Sequence, residues 1–423
     1  MSRLTGAVIN VYSEGTLAIE QGARGVAAIP LLLDWYNDDE IVTFHAGDDA
    51  QLVLAHTLDE LIYLRELMKG ASTALVYPLY SGGAKAKANV VSGFTATAAK
   101  QGSRGNSIKI TVEASGDMWL VKTWLDTDVI DSQTVDNLSE LEGNELVVFS
   151  GEGEAAAATV SLTGGTDGTE GSGVWDKFLA KLKTEEYQTI AYIGGDETVK
   201  SKIAAYVKTE REDEDKFIQA CMGSKQADHE GIISFANGVI LEDGTELDAN
   251  EVSAWLAGAT AGAAVTESLT YTVYPNAVGV TEKLTKSQQL KYKKQGLGCF
   301  IPNNGKVKVE SDINTLVTYT TLKQKDFSKN RVLRVVDGIC TDIKTVFDSS
   351  YAGYESNNTD GRNRFKASIC EYMTELQKQG AVENFVSDDV VVSAGKDKDQ
   401  VMVELRVQPI DSMEKADITV KVR

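Results

Sequence analysis

From Lys85 to Thr163 the chain never sustains a helical hydrophobic period, although amphipathic helical patterns stand on both sides of that stretch. In their place are short runs rich in Val, Ile and Thr, at Val90–Thr97, Ser107–Ala114, Trp119–Leu125, Leu146–Phe149 and Thr159–Leu162, separated by turn residues. Short apolar runs broken by regular turn signals read as antiparallel strands, and no helix of useful length fits between them. The segment is therefore expected to fold as a small all-β module inserted into a chain of another class. Ser81-Gly82-Gly83 opens it, and Gly164-Gly165-Thr166-Asp167-Gly168-Thr169 closes it. Six basic against eleven acidic residues give it a solvated outer face.

The flanks alternate strand and helix. A helix is expected at about Leu58–Met68, where Leu58, Leu61, Ile62, Leu64 and Leu67 form one stripe, and a strand at Ala74–Leu79. After the insertion come a helix Val174–Leu182, a strand Thr189–Ile193, a helix Glu197–Thr209 with Asp196 as its N-cap, strands Phe217–Met222 and Gly231–Leu241, and a helix Ala249–Ala261. Repeated strand, helix, strand implies a parallel or mixed sheet with helices on both faces. Beyond a basic helix at Lys283–Gln295 lie two long amphipathic helices, Lys329–Asp348 and Arg362–Gln379, and strands Val390–Val392, Gln400–Gln408 and Ala416–Val422. The fold class expected is multidomain α/β. It comprises a central α/β domain with a mixed sheet covered by helices, a small inserted all-β domain, and an α+β C-terminal domain with terminal β-strand arms.

Charge excludes one class of partner. The formal net charge of −20 repels polyphosphate, so nucleic acid is not expected to bind. The longest apolar runs, such as Ile29–Leu33, are too short to span a bilayer, so membrane insertion is not expected. The start, Met1-Ser2-Arg3-Leu4-Thr5-Gly6, lacks a basic segment followed by an apolar run, and cytoplasmic folding is expected. Cys221, Cys299, Cys340 and Cys370 form no CxxC pair and read as buried thiols.

Catalytic patterns are thin. His45, His56 and His229 sit in no HExxH or His/Cys ligand spacing, and His45 reads as a strand residue. The run Gly164–Gly173 lacks the Lys-Ser/Thr pair of a phosphate loop and carries Asp167 and Glu170, which repel phosphate. Ser224, Asp228 and His229 suggest a degenerate hydrolase triad, but no Gly-x-Ser-x-Gly elbow is present, and an adjacent Asp cannot orient the His. The acidic run Glu210–Asp215 reads as a solvated helix end. No enzyme activity, metal or cofactor is expected.

Two other features stand out. The termini, Met1–Gly25 and Glu404–Arg423, are each net neutral on an acidic body. Neutral, β-rich, Pro-poor ends suit strand addition to another chain's sheet, and suit equally a strand tucked into their own. From Glu282 to Arg334, twelve basic residues face four acidic ones, a local +8. Such a patch fits an acidic partner, a neighbouring copy, or a solvated helix face.

The order of these features resembles the sheath proteins of contractile phage tails and R-type bacteriocins. The residues that carry the resemblance are Gly6-Ala7-Val8-Ile9-Asn10-Val11, Arg24-Gly25-Val26-Ala27, Leu162-Thr163-Gly164-Gly165-Thr166-Asp167-Gly168 before Trp175-Asp176-Lys177-Phe178, and Val199–Val207. Asn330–Asp337, Gly361-Arg362-Asn363-Arg364 and Ala416–Val422 extend it to the C-terminus. The resemblance implies an N-terminal arm at 1–22, a central domain at 23–84 and 164–300, an outward-facing β domain at 85–163, an inner C-terminal domain at 301–410, and a C-terminal arm at 411–423. It implies further that strands through Val8, Ile9 and Val11 and through Ile418, Val420 and Val422 pair with neighbouring subunits, joining hexameric rings into a sheath. The expected partners are copies of the chain, the tail tube protein, and baseplate and tail terminator proteins, in a tail particle assembled in the bacterial cytoplasm. Lys323, Lys325, Lys329, Arg331 and Arg334 are the expected tube-facing cluster. The competing expectations are a hydrolase with a degenerate site and a shell protein unrelated to tails.

Overall fold

The computed structural model describes residues 18–171 and 173–422. These divide into two compact units, one of Arg24–Ala264 with Ser268–Asn330, the other of Val265–Glu267 and 331–422 with the described residues before Arg24.

At the centre of the larger unit is a six-stranded sheet in the order Ile232–Phe235, Gln219–Gly223, Thr189–Tyr192, Val26–Leu31, Thr73–Pro78, Val42–His45. All neighbours pair in parallel except the edge strand Val42–His45, so the sheet is mixed. Ala27, Ile29, Leu31, Ala74 and Val76 point into one core, with the helices Ile62–Met68 and Ser253–Gly262. Ala28, Leu75, Tyr77, Ile190 and Met222 point into the other, with the helices Val174–Leu182 and Glu197–Glu212. Burial on both faces is why the first strand reads Val-Ala-Ala-Ile-Pro-Leu without a polar alternate. The helix Glu197–Glu212 starts as expected: Asp196, in extended geometry, accepts from the Thr198 N–H at 2.7 Å.

The insertion is a sandwich of two antiparallel sheets over one core. One has the order Val147–Gly151, Phe94–Ala98, Lys87–Val91, and the other the order Ala158–Ser161, Ile108–Ser115, Met118–Leu125, Asp128–Val135. Phe94, Ala96, Ile108, Ile110, Val121 and Val147 fill the space between them. The expected run Val90–Thr97 is a hairpin turning at Gly93, whose φ of +82° a side chain would strain. The loop that closes the insertion is welded at its base. The Asp167 carboxylate accepts from the Ser103 hydroxyl at 2.9 Å and from its N–H, and Thr166 bridges to Ala84.

The expected strand Gly231–Leu241 is two strands in different sheets. Ile232–Phe235 edges the large sheet, and Val239–Leu241 joins a small sheet with Glu246–Leu247 and Ala277–Val280. The break falls at Asn237-Gly238. The Asn237 side chain accepts from the Phe300 N–H and donates to the Phe300 and Glu282 carbonyls, and a Cβ on Gly238 would sit 1.8 Å from the Leu247 carbonyl oxygen.

The smaller unit packs the helix from 331 to Val346 and the helix Thr359–Lys378 around Val335, Ile339, Phe365, Ile369, Met373 and Leu376. A hairpin, Val390–Ala394 with Val401–Leu405, lies on the second helix. Cys221 and Cys299 are buried thiols, as expected, but Cys340 is exposed and Cys370 half-exposed. Cys340 follows the buried Ile339 and lies just off the helix's apolar stripe. Among the described residues no helix is long and apolar enough to cross a membrane.

Candidate assembly surfaces

The sequence motifs with catalytic potential are spent on structure. The Asp228 carboxylate accepts from the N–H groups of Val317 and Thr318, both at 2.8 Å, and so pins a loop. Burial pushes the His229 ring below its usual range, and its Nδ1 accepts from the Gly231 N–H at 3.0 Å. Neither residue is oriented by the other as a triad requires. His45 lies on its strand as expected, against the Thr73 hydroxyl. Among the described residues no group of His, Cys, Asp and Glu has metal-holding geometry.

The arms were expected to supply strands. Val8, Ile9 and Val11 lie outside the described residues. Just after them, Ile19 is buried in the core of the smaller unit, and the Gly22 N–H donates to Asp342 at 3.0 Å. At the other end, Ile418, Val420 and Val422 are 82%, 80% and 93% exposed, and residues 411–422 form no strand among the described residues. The Val390–Ala394/Val401–Leu405 hairpin has no further strand neighbour among the described residues. It also exposes Val391, Met402 and Val403. A two-stranded ribbon with two open edges is a marginal structure that gains from added strands.

The five cationic residues are divided between the two units. Lys323 reaches back into the larger unit, 2.6 Å from Glu230 and 3.4 Å from Glu212, with Arg211 3.9 Å from the same Glu230 carboxylate. Burial alone would raise the Glu230 carboxyl, but the hydrogen bond and charge of Lys323, the neighbouring His229 and a backbone hydrogen bond together outweigh it and hold it below the usual range. Burial likewise works against the Lys323 ammonium, and Glu230 and Glu212 together more than compensate. Lys325 is exposed and Lys329 half-buried in that unit. In the smaller unit Arg331 is half-buried, whereas Arg334 is 3% exposed and donates to the Glu267 carbonyl at 2.6 Å. Sequence reasoning missed the acidic partners because Glu212 and Glu230 lie far from Lys323 along the chain.

The Lys323 pair has a measurable stability signature. Lys323→Ala leaves the buried Glu230 with Arg211 and His229, each no nearer than 3.9 Å, and a loss of about 1–2 kcal/mol is expected at pH 7. A depressed carboxyl stabilises the fold above its unfolded pKa of about 4.3, and that contribution disappears as pH falls through the lower folded value. Thermal melts of the variant and the parent should therefore converge as the pH falls through that lower folded value, and a gap constant with pH would show that the pair is not its source.

Comparison with known proteins agrees with this architecture. Residues 168–315 match the phage tail sheath protein central domain, residues 81–167 the phage tail sheath protein beta-sandwich domain, and residues 323–423 the phage tail sheath C-terminal domain. The chain is 32% identical to the phage-like element PBSX protein XkdK of Bacillus subtilis (strain 168), over 99% of this chain and 97% of that protein. Its structure is similar to that of the sheath tail protein of Desulfitobacterium hafniense, with a TM-score of 0.85, 38% identity, and 96% and 97% of the two chains covered. The contracted helical sheath of the anti-feeding prophage shares the fold at a TM-score of 0.60 and 14% identity, covering 100% and 99% of the two chains. The chain belongs to the phage tail sheath family and is a structural subunit of a tail sheath.

Proposed function

We propose that this chain polymerises as stacked hexameric rings around a tail tube, and that contraction of the polymer drives the tube through a cell envelope. The observation that carries this reading is the pairing of a donor and an acceptor. The C-terminal segment presents Ile418, Val420 and Val422 to solvent with no strand partner among the described residues, and the hairpin of the smaller unit offers edges open among those residues. Strand addition across copies answers both, since backbone donors and acceptors pair without depending on side-chain identity. Val8, Ile9 and Val11 supply the second donated strand in this reading. The paired arms keep copies connected while the Asp411-Ser412-Met413 linker absorbs rotation.

Energy for contraction comes from new contact between subunits. If each subunit buries about 100–200 Å² of additional apolar surface at about 25 cal/mol per Å², it gains about 2.5–5 kcal/mol. Many subunits acting together yield a large total. The contracted sheath of the anti-feeding prophage is built from subunits of this fold, which supports the reading. Baseplate and tail terminator proteins close the two ends of the polymer, and assembly takes place in the cytoplasm of the bacterial host.

For the tube contact we retain Lys325, Lys329 and Arg331, which reach solvent, and set aside Lys323, which is held by Glu230, and Arg334, which is 3% exposed. Negative-stain microscopy of the purified chain mixed with tube should show striated hollow cylinders. Lys329→Glu with Arg331→Glu should abolish tube-dependent assembly, and unchanged sheaths from that variant would remove these residues from the tube face.

A further inference from the structure

The larger unit contains a cavity of about 500 Å³ at the carboxyl ends of the neighbouring strands Val26–Leu31 and Thr189–Tyr192. The chain leaves those two strands toward opposite faces. After Thr189–Tyr192 it enters the helix Glu197–Glu212 on one face, and before Thr73–Pro78 it forms Ile62–Met68 on the other. This is the switch point of an open α/β sheet, where a crevice forms and ligands are generally held. Its walls are apolar and aromatic, with Leu32, Tyr63, Trp175 and Ile193 among them. Leu32 is 55% exposed, which is costly for a Leu with nothing to cover it.

The polar groups at this crevice fix the sign of its occupant. Glu60, Glu170 and Asp196 line it, and no Lys, Arg or His does so among the described residues. Asp196 already caps the Thr198 N–H, so the helix N-terminus behind the crevice is shielded from an anion by a carboxylate. An apolar cleft rimmed by three carboxylates suits an apolar group carried among cations.

The same chain displays such a group elsewhere. The helix Lys286–Lys294 buries none of its residues, although a capping box at Thr285 and Gln288 fixes its start. Leu290 is 55% exposed on a stripe with Lys286, Ser287, Lys291 and Lys294, all of them exposed. The other side of the helix is half-buried on its own chain through Gln288, Gln289, Tyr292 and Lys293, the last 3.2 Å from Glu310, so the Leu290 stripe is the face left for another surface. None of its residues lines the crevice. A knob and a hole at different places on one chain make a heterologous contact, which generates rings or helices rather than a closed dimer.

We propose that the Lys286–Lys294 helix of one subunit docks in the switch-point crevice of the next, with Leu290 entering between Leu32 and Trp175 and the lysines facing Glu60, Glu170 and Asp196. This inference rests on the reading of the chain as a self-assembling subunit, and it locates one lateral contact that the arms do not provide.

The test uses the full chain with Cys340→Ser and Cys370→Ser, and two populations carrying Leu290→Cys or Leu32→Cys. Both sites are exposed, so folding is preserved. Co-assembled cylinders treated with a short bismaleimide should give covalent dimers from mixed populations and none from either population alone. Lys286→Glu with Lys294→Glu should reduce polymer yield at least tenfold, and adding Glu170→Lys should restore a measurable part of it. Cylinders that form without 32–290 cross-links, or that tolerate the charge reversals, overturn the contact while leaving the sheath reading intact. A parent chain that forms no cylinders overturns that reading, and this contact with it.

Discussion

Deleting Lys415–Arg423 should give a folded subunit that does not polymerise. The removed side chains contribute almost nothing to the isolated chain: Ile418, Val420 and Val422 are 80% or more exposed, and their segment forms no strand. Removal of exposed groups away from special features costs within about 0.5 kcal/mol, so the melting curve and the sedimentation of the monomer should match the parent. Polymer yield, by contrast, should fall to background, because each missing strand removes a ladder between copies and every copy lacks it. Deleting Met1–Gly15 is expected to do the same. Long striated cylinders from either truncation would end the strand-exchange reading. A truncated chain that melts early would show that the arm folds onto its own molecule.

The contrast between the arms and the sheet shows what the sequence carries. The central strands are legible because burial on two faces leaves a mark in composition: Val26–Leu31 and Thr189–Tyr192 have no polar residue except Thr189, which donates to the Ala257 carbonyl. Asp128–Val135 is invisible for the opposite reason. It lies at the edge of its sheet and carries Asp128, Asp131, Ser132 and Gln133, so its strand geometry comes from the ladder to Met118–Leu125 and not from its own pattern. For the terminal arms, the residues alone balance a tucked strand against a donated one, since both require the same alternation. Only the resemblance to the sheath family tipped that balance. A charge count along the chain does not set Lys323 apart from its basic neighbours, because it cannot see a carboxylate brought in from a distant helix or loop, as Glu212 and Glu230 are brought to Lys323.

Helix packing in the larger unit supplies the sharpest stability test. Three glycines let two helices touch backbone to backbone. A Cβ on Gly258 would stand 1.9 Å from the Leu67 carbonyl oxygen, one on Gly262 2.0 Å from that of Gly70, and one on Gly70 2.5 Å from the Ala259 nitrogen. The Leu67 carbonyl cannot turn away without loss, because it accepts from the N–H groups of Gly70 and Ala71. On its other side the Ser253–Gly262 helix is tied to the sheet through the Thr189 hydroxyl. Gly258→Ala must therefore push two elements of the main core apart, and a loss of about 3 kcal/mol or more is expected, outweighing the gain of up to about 1 kcal/mol that Ala otherwise brings to a helix interior. Gly338→Ala provides the control. It lies inside the helix Asn330–Val346, where among the described residues a Cβ would meet Val265 Cγ1 at an ordinary 3.6 Å and nothing nearer, and the same exchange should stabilise the chain by about 0.5–1 kcal/mol. Denaturant melts of the two variants should move in opposite directions. If Gly258→Ala left the midpoint unchanged, the close approach of these helices would not be what holds the central sheet's cover in place, and the rigidity a sheath subunit needs to pass force through its body would have to come from elsewhere.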